Sequence, residues 1–164
     1  MNKKGGIVMK VDLIDVTKEN WLQVLFLTTN AGENLNLCEE FVASNALSIV
    51  QSIFETAWRV KAVEVEGNIV GFAMYGYNEE QQFYELCRIM IDYKYQGKGY
   101  GTAAIRLVIE EMKKDENCDV IYLSTEQENQ RAKRIYTTLG FKETGRQVEG
   151  EDLFCLSIKE NDTI

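Results

Sequence analysis

Apolar positions change their period along the chain, and each change marks an element. Over residues 7–16 β-branched side chains partly alternate with polar ones, as in a strand. Thr17 then offers a hydroxyl cap for a helical stretch reaching about residue 29. Leu37, Phe41, Val42, Ala46, Ile49, Val50 and Ile53 recur at helical spacing and predict a second helix over about 35–54. Two strand-like runs, 58–65 and 69–77, flank Glu66-Gly67-Asn68, whose Gly and Asn tolerate the positive φ of a tight hairpin turn.

A further strand is expected over 83–92, a helix over 102–114, a strand over 119–125 and a helix over 129–139 that Gly140 breaks. Residues 141–148 and 153–159 read as a closing hairpin around Glu149-Gly150-Glu151-Asp152. The order β α α β β β α β α β β is an α+β arrangement. It predicts a mixed, mainly antiparallel central sheet of about seven strands flanked by about four helices. No proline, linker or repeat interrupts the 164 residues, so residues 1–164 are read as a single domain. Met9 is a second candidate start, and residues 1–8 are read as a dispensable extension.

Two segments carry candidate chemistry. The strand end Ile89-Met90-Ile91-Asp92 runs into Gln96-Gly97-Lys98-Gly99-Tyr100-Gly101, followed by the apolar helical face of Ala104, Ile105, Val108, Ile109 and Met112. Glycines at alternate positions before a helix let backbone amides converge on a phosphate, and the helix N-terminus adds its positive end. Lys98 adds a point charge. The competing reading of such glycines is a tight turn and nothing more. About thirty residues later Asn129 stands at a helix N-cap position, and Tyr136 lies two helical turns on, on the same face, with small Ala132 between them. There the competing reading is a cap and a packing residue.

The absence of histidine excludes a Ser-His-Asp or Cys-His machine, so a general base must be a carboxylate, a thiolate, a tyrosinate or a water chain. Cys38, Cys87, Cys118 and Cys155 are widely spaced and read as free thiols, and no metal site is expected. A net charge of −8 disfavours nucleic acid and suits a small cationic amine. No apolar run approaches the ~20 residues of a membrane span, and no leader peptide is evident, so a cytoplasmic location without membrane partners is expected.

Together the two segments resemble the GNAT acetyltransferase superfamily. Its Q/R-x-x-G-x-G/A pattern matches Gln96, Gly99 and Gly101, and its N-x-x-A-x-x-x-Y-x-x-x-G-F pattern matches Asn129, Ala132, Tyr136, Gly140 and Phe141. Gly71-Phe72-Ala73-Met74-Tyr75-Gly76, Arg88-Ile89-Met90-Ile91-Asp92 and Ile121-Tyr122-Leu123-Ser124 further resemble bacterial spermine/spermidine N-acetyltransferases. The resemblance implies acetyl-CoA as cosubstrate and a polyamine or diamine acceptor. Backbone groups of Ile89, Met90 and Ile91 would pair with the pantetheine arm. Gln96 belongs to the pyrophosphate loop, and amides of Gly97, Lys98, Gly99, Tyr100, Gly101 and Thr102 would hold the pyrophosphate. Asn129 would contact the cofactor arm, and Tyr136 would act as general acid for the leaving thiolate.

Related diamine acetyltransferases carry a carboxylate where this chain has Cys87. Strand alternation places Glu85, Cys87, Ile89 and Ile91 on one face. That leaves Glu85 acting through water, Cys87 as mere packing, or no dedicated base. Glu33, Glu39, Glu40, Glu85, Asp92, Glu126 and Glu128 are candidate anchors for a distal ammonium. Alternatives are a protein or amino-acid N-acetyltransferase and a non-catalytic acyl-CoA-binding module. Exposed strands near the C-terminus allow a homodimer.

Overall fold

The computed structural model describes residues 10–29 and 44–159. One seven-stranded sheet runs in the order β1-β2-β3-β4-β5-β7-β6. Its strands are β1 (Val11–Asp15), β2 (Trp58–Val65), β3 (Asn68–Asn78), β4 (Phe83–Ile91), β5 (Val120–Thr125), β6 (Lys142–Val148) and β7 (Glu151–Ser157). The helices are α1 (Trp21–Leu25), α2 (Asn45–Phe54), α3 (Tyr100–Met112) and α4 (Gln130–Thr138), with a short 3₁₀ turn at Tyr93–Tyr95. Every strand pair is antiparallel except β4 with β5. Their parallel pairing needs a crossover, and α3 supplies it.

Side chains of α3 and α4 pack on one face of the sheet, with Ile105, Val108 and Tyr136 meeting Ala73, Leu86, Ile121 and Phe154. On the other face Val24 of α1 and Ile49 of α2 meet Trp58, Phe72, Met74 and Met90. The β2–β3 turn needs only Glu66 and Gly67, both at positive φ (51° and 79°), and Asn68 already pairs with Val65. This geometry matches the right-handed twist of the strands it joins. Likewise Glu149 and Gly150 alone turn β6 into β7.

Three sequence expectations change. The first helix is one short turn-and-a-half, not a run from Thr17 to residue 29. Past Leu25 the chain is captured by the turn after β4: Thr28 N–H donates to Asp92 Oδ2 at 3.2 Å, and Tyr93 N–H donates to the Thr28 carbonyl at 2.9 Å. In α2 the apolar stripe is only partly inward, since Val50 and Ile53 are 50% and 66% exposed while Asn45 and Ser48 are buried. Asn45 Nδ2 donates to the Val24 carbonyl at 2.9 Å, and this tie to α1 sets the helix rotation. The part of that predicted helix before residue 44 lies outside the described residues.

The third change is in β4. Met74 pairs with Arg88 but Tyr75 pairs with Leu86, so Cys87 is an extra residue in a β-bulge. The bulge resets the alternation. Leu86 and Ile89 face α3, whereas Cys87 and Met90 face α1 and α2. Glu85 and Cys87 therefore do not share a face with Ile89 and Ile91.

Candidate active site

Strands β4 and β5 pair at only two positions, Tyr84 with Ile121 and Glu85 with Tyr122. Beyond them the strands diverge, so among the described residues the β4 edge over 87–91 has no partner strand on that side. The divergence points at the start of α3. Gly97 and Gly99 there adopt φ of 78° and 84°, with no heavy atom within 4 Å of where a Cβ would stand. Gly99 is the helix N-cap, and the first intrahelical bond runs from Ala103 N–H to the Gly99 carbonyl at 3.1 Å. First-turn amides such as those of Gly101 and Thr102 have no acceptor within the helix, which is the arrangement that receives an anion.

Gln96 is committed within the protein. Its Nε2 donates to the Ile91 carbonyl at 2.9 Å, and its Oε1 accepts from Arg131 Nη1 at 3.4 Å. It thus ties the glycine turn to both β4 and α4. Lys98 Nζ stands 5.6 Å from the centroid of the Tyr95 ring, a cation–π distance. Tyr100 is only 7% exposed and packs beneath the turn with Ile91 and Ala104.

On α4, Asn129 caps the helix as expected, its Oδ1 accepting from Ala132 N–H at 3.0 Å. Tyr136 is held by Phe141 and Phe154, at centroid distances of 6.2 and 5.9 Å. Burial, reinforced by the charge of Glu151, pushes its phenol up to about 12, so the hydroxyl is protonated at neutral pH.

Across the sheet, the bulge face of β4 carries Glu85, Cys87 and Arg88. Asn78 Nδ2 donates to Glu85 Oε2 at 2.8 Å. Burial raises the Glu85 pKa above its ordinary 4.5; the Asn78 bond opposes this, and the charges of Glu149 and Glu151 add to it. Burial pushes the Cys87 thiol up to about 12, with the Glu85 charge adding, so Cys87 stays a neutral packing thiol. Arg88 Nε is buried without a hydrogen-bond partner.

Two residues the sequence reading passed over belong here. Glu151 accepts from Ser124 Oγ at 2.5 Å, and alternation from the buried Ile121 and Leu123 puts Tyr122 and Ser124 on the Glu85 face. Glu149 precedes it in the turn, and both had been read only as hairpin residues. Of the predicted ammonium anchors, Asp92 is spent on backbone amides, its Oδ1 accepting from Lys94 N–H at 3.0 Å and its Oδ2 from Thr28 N–H at 3.2 Å. Glu126 and Glu128 are solvent-exposed. Glu33, Glu39 and Glu40 lie outside the described residues. Among the described residues no cluster of three or more His, Cys, Asp or Glu is arranged to hold a metal, and Cys87, Cys118 and Cys155 are free. No described helix is long and apolar enough to cross a membrane.

A diverging β4–β5 pair, a glycine turn opening α3 and a capped α4 carrying a buried tyrosine together define an acyltransferase scaffold. Residues 33–141 match the acetyltransferase (GNAT) family, and the chain belongs to that family. It is 35% identical over 118 residues to the spermine/spermidine N(1)-acetyltransferase of Bacillus subtilis strain 168, covering 63% of this chain and 78% of that protein. It is 29% identical over 118 residues to an N-alpha-acetyltransferase of Sulfurisphaera tokodaii, covering 63% of this chain and 70% of that one. The fold is shared with the dodecameric spermidine N-acetyltransferase of Vibrio cholerae (TM-score 0.65, 22% identity, 90% of this chain and 93% of that chain). It is also shared with PaiA N-acetyltransferase of Thermoplasma acidophilum in complex with coenzyme A (TM-score 0.66, 17% identity, 91% and 99% covered).

Proposed function

We propose that this enzyme transfers the acetyl group of acetyl-CoA to a primary amine of a polyamine or diamine, such as spermidine or spermine, by direct attack with both substrates bound. The observation that carries the reading is the β4–β5 divergence. A molecule lying in that gap meets Tyr136 from the α4 side and Glu85 from the opposite face. The free β4 edge at Ile89–Ile91 suits the amide-bearing pantetheine arm, which would add to it like a strand. The amides of Gly97 to Thr102 suit the pyrophosphate, with Gln96 bracing their loop and Asn129 contacting the arm.

The thioester supplies an activated acetyl carbon. Glu85 takes the proton from the attacking amine through a water, and the Tyr136 hydroxyl gives a proton to the departing sulfur. Glu151 and the exposed Glu149, whose charges both act on Glu85, supply negative charge for a distal ammonium. A homodimer through the exposed β6 edge remains part of this reading.

Arg88 favours a second reading. A buried guanidinium nitrogen without an acceptor, on the Glu85 face, suits an amine that carries a carbonyl or carboxylate oxygen, as in an amino acid or a peptide N-terminus. An acceptor panel decides between them. With acetyl-CoA and either spermidine, spermine, putrescine, lysine or peptides, free CoA is expected to appear fastest with the polyamines. Glu151→Gln is expected to raise the polyamine KM about tenfold, the effect of losing one partly buried ionic contact of about 1.4 kcal/mol, with little change in kcat. Peptide turnover above polyamine turnover would reverse the assignment. Acetyl-CoA binding without turnover of any acceptor would leave only the acyl-CoA-binding module.

Glu85 also makes a stability prediction. Its folded pKa is raised above the unfolded 4.5, so the native state holds its proton more tightly. Its contribution is therefore most favourable below 4.5 and is lost as pH rises through the folded pKa. Glu85→Gln is expected to be slower in turnover, yet to melt above the unsubstituted enzyme at pH 8. That margin shrinks on acidification in thermal scans. A variant less stable than the parent at pH 8 would show that burial does not strain the carboxylate.

A further inference from the structure

Few side chains attach α4 to the sheet. Tyr136 is its one buried residue, and Ala132, Ile135 and Leu139 are only partly covered. The Tyr136 ring meets Phe154 edge-on, with centroids 5.9 Å apart. A ring contact of this kind is favourable over a broad range of offsets, so by itself it leaves the helix free to slide and roll on β7. A group that must meet a departing sulfur needs a tighter constraint, since a misplacement of about 1 Å costs up to about a hundredfold in rate.

Lys133 and Asp152 supply that constraint. Asp152 stands two residues before Phe154, so strand alternation puts both on the α4 face of β7. Lys133 stands three residues before Tyr136, on the same side of α4. Its Nζ donates to Asp152 Oδ2 at 2.5 Å. The carboxylate is itself braced from β6, where Gln147, its cross-strand partner, donates from Nε2 to Asp152 Oδ1 at 3.0 Å. Neighbouring residues on one face of β7 thus grip neighbouring residues on one face of α4, one pair by charge and the other by ring packing. On the opposite face of β7, Glu151 turns to Ser124, so the pair stands apart from the acceptor side.

Ordinary surface ion pairs contribute little, because water screens them and two long side chains lose freedom in forming them. This pair is sheltered. The Lys133 and Asp152 side chains are 19% and 16% exposed, and among the ion pairs of the described residues no other has both members so well covered. The bond from Lys133 holds the Asp152 carboxyl below the usual carboxylate range, and the bond to Asp152 holds the Lys133 amine above its ordinary value. Both charges therefore persist at neutral pH.

We propose that the Lys133–Asp152 pair is a positioning device, which sets the height and roll of α4 on β7 and so holds the Tyr136 hydroxyl in line with the departing sulfur. The proposal rests on the acid role given to Tyr136 and is independent of which amine is the acceptor. Neither Lys133 nor Asp152 touches a reacting atom.

The test is a double-mutant cycle on the full chain, read as kcat with the fastest acceptor of the panel at saturating acetyl-CoA, well below the melting transition of each variant. Lys133→Met keeps the aliphatic stem and is expected to lower kcat about tenfold, a fraction of the loss from a full ångström of misplacement. The acceptor KM is expected to stay within about twofold of the parent's, because Glu151 and Ser124 are untouched. Lys133→Arg is expected to recover most of the lost turnover. In the Tyr136→Phe background, Lys133→Met is expected to lower kcat by less than about twofold, because the group it positions is already gone. A merely structural contribution would instead multiply with the effect of Tyr136→Phe. Full kcat in Lys133→Met beside a slow Tyr136→Phe would overturn the positioning role alone, and so would a tenfold fall that persists undiminished in the Tyr136→Phe background. Full kcat in Tyr136→Phe would overturn the acid role and the positioning device with it.

Discussion

Tyr136→Phe is expected to lower turnover about a hundredfold, the scale of a lost general acid, while acetyl-CoA affinity and melting temperature stay close to those of the parent. The change removes one oxygen from a side chain whose ring is already fixed by Phe141 and Phe154. Packing therefore survives. The hydroxyl itself is kept protonated by burial, with a pKa of about 12, which suits a group whose task is to give a proton to sulfur. Stopped-flow or steady-state release of CoA, read beside calorimetric binding of the cofactor, separates the two effects. An equal fall in affinity and turnover would make Tyr136 a binding residue; unchanged turnover would remove it from the chemistry.

Gly76→Ala is expected to be the most damaging single methyl in the chain. A Cβ there would stand 2.0 Å from the Ala57 carbonyl oxygen and 3.1 Å from Trp58 Cα, both backbone atoms that no rotamer change can move. The cost is about 3 kcal/mol, at the upper end of overpacking effects. For a chain of this size that is a fall of about 10 °C in melting temperature. Gly76 pairs with Glu85 across the β3–β4 ladder. A shift that relieves the clash therefore moves the proposed base relative to Ser124 and Glu151, and activity should fall even below the melting transition. Thermal scans and kcat on the same preparation check both effects. A melting temperature within 2 °C of the parent would show that the β2 entry yields readily.

Much of the architecture was legible from local pattern because the relevant physics is local. Gly67, Gly140 and Gly150 mark turns through φ alone, and Asn129 caps its helix through a bond three residues away. The glycine turn and the Asn129–Tyr136 spacing are likewise set within a few residues, which is why both segments stand out before any fold is known. What escaped was set by contacts distant in sequence. Asp92 looked like an exposed carboxylate free to meet an amine, yet its partner Thr28 is 64 residues away. Glu151 looked like a turn residue until β7 was paired with β5 and its carboxylate met Ser124.

By itself the sequence determined the order of elements, the glycine turn after β4 and the helix that carries Tyr136, because hydrophobic period, glycine φ freedom and capping act within one or two turns of chain. Only the tertiary structure decided which way β4 faces. Pairing with β3 forces Cys87 into a bulge, and that one extra residue turns Glu85 and Cys87 to the face opposite Ile89 and Ile91. Strand register is a property of two chains of residues side by side, and no period along one of them contains it.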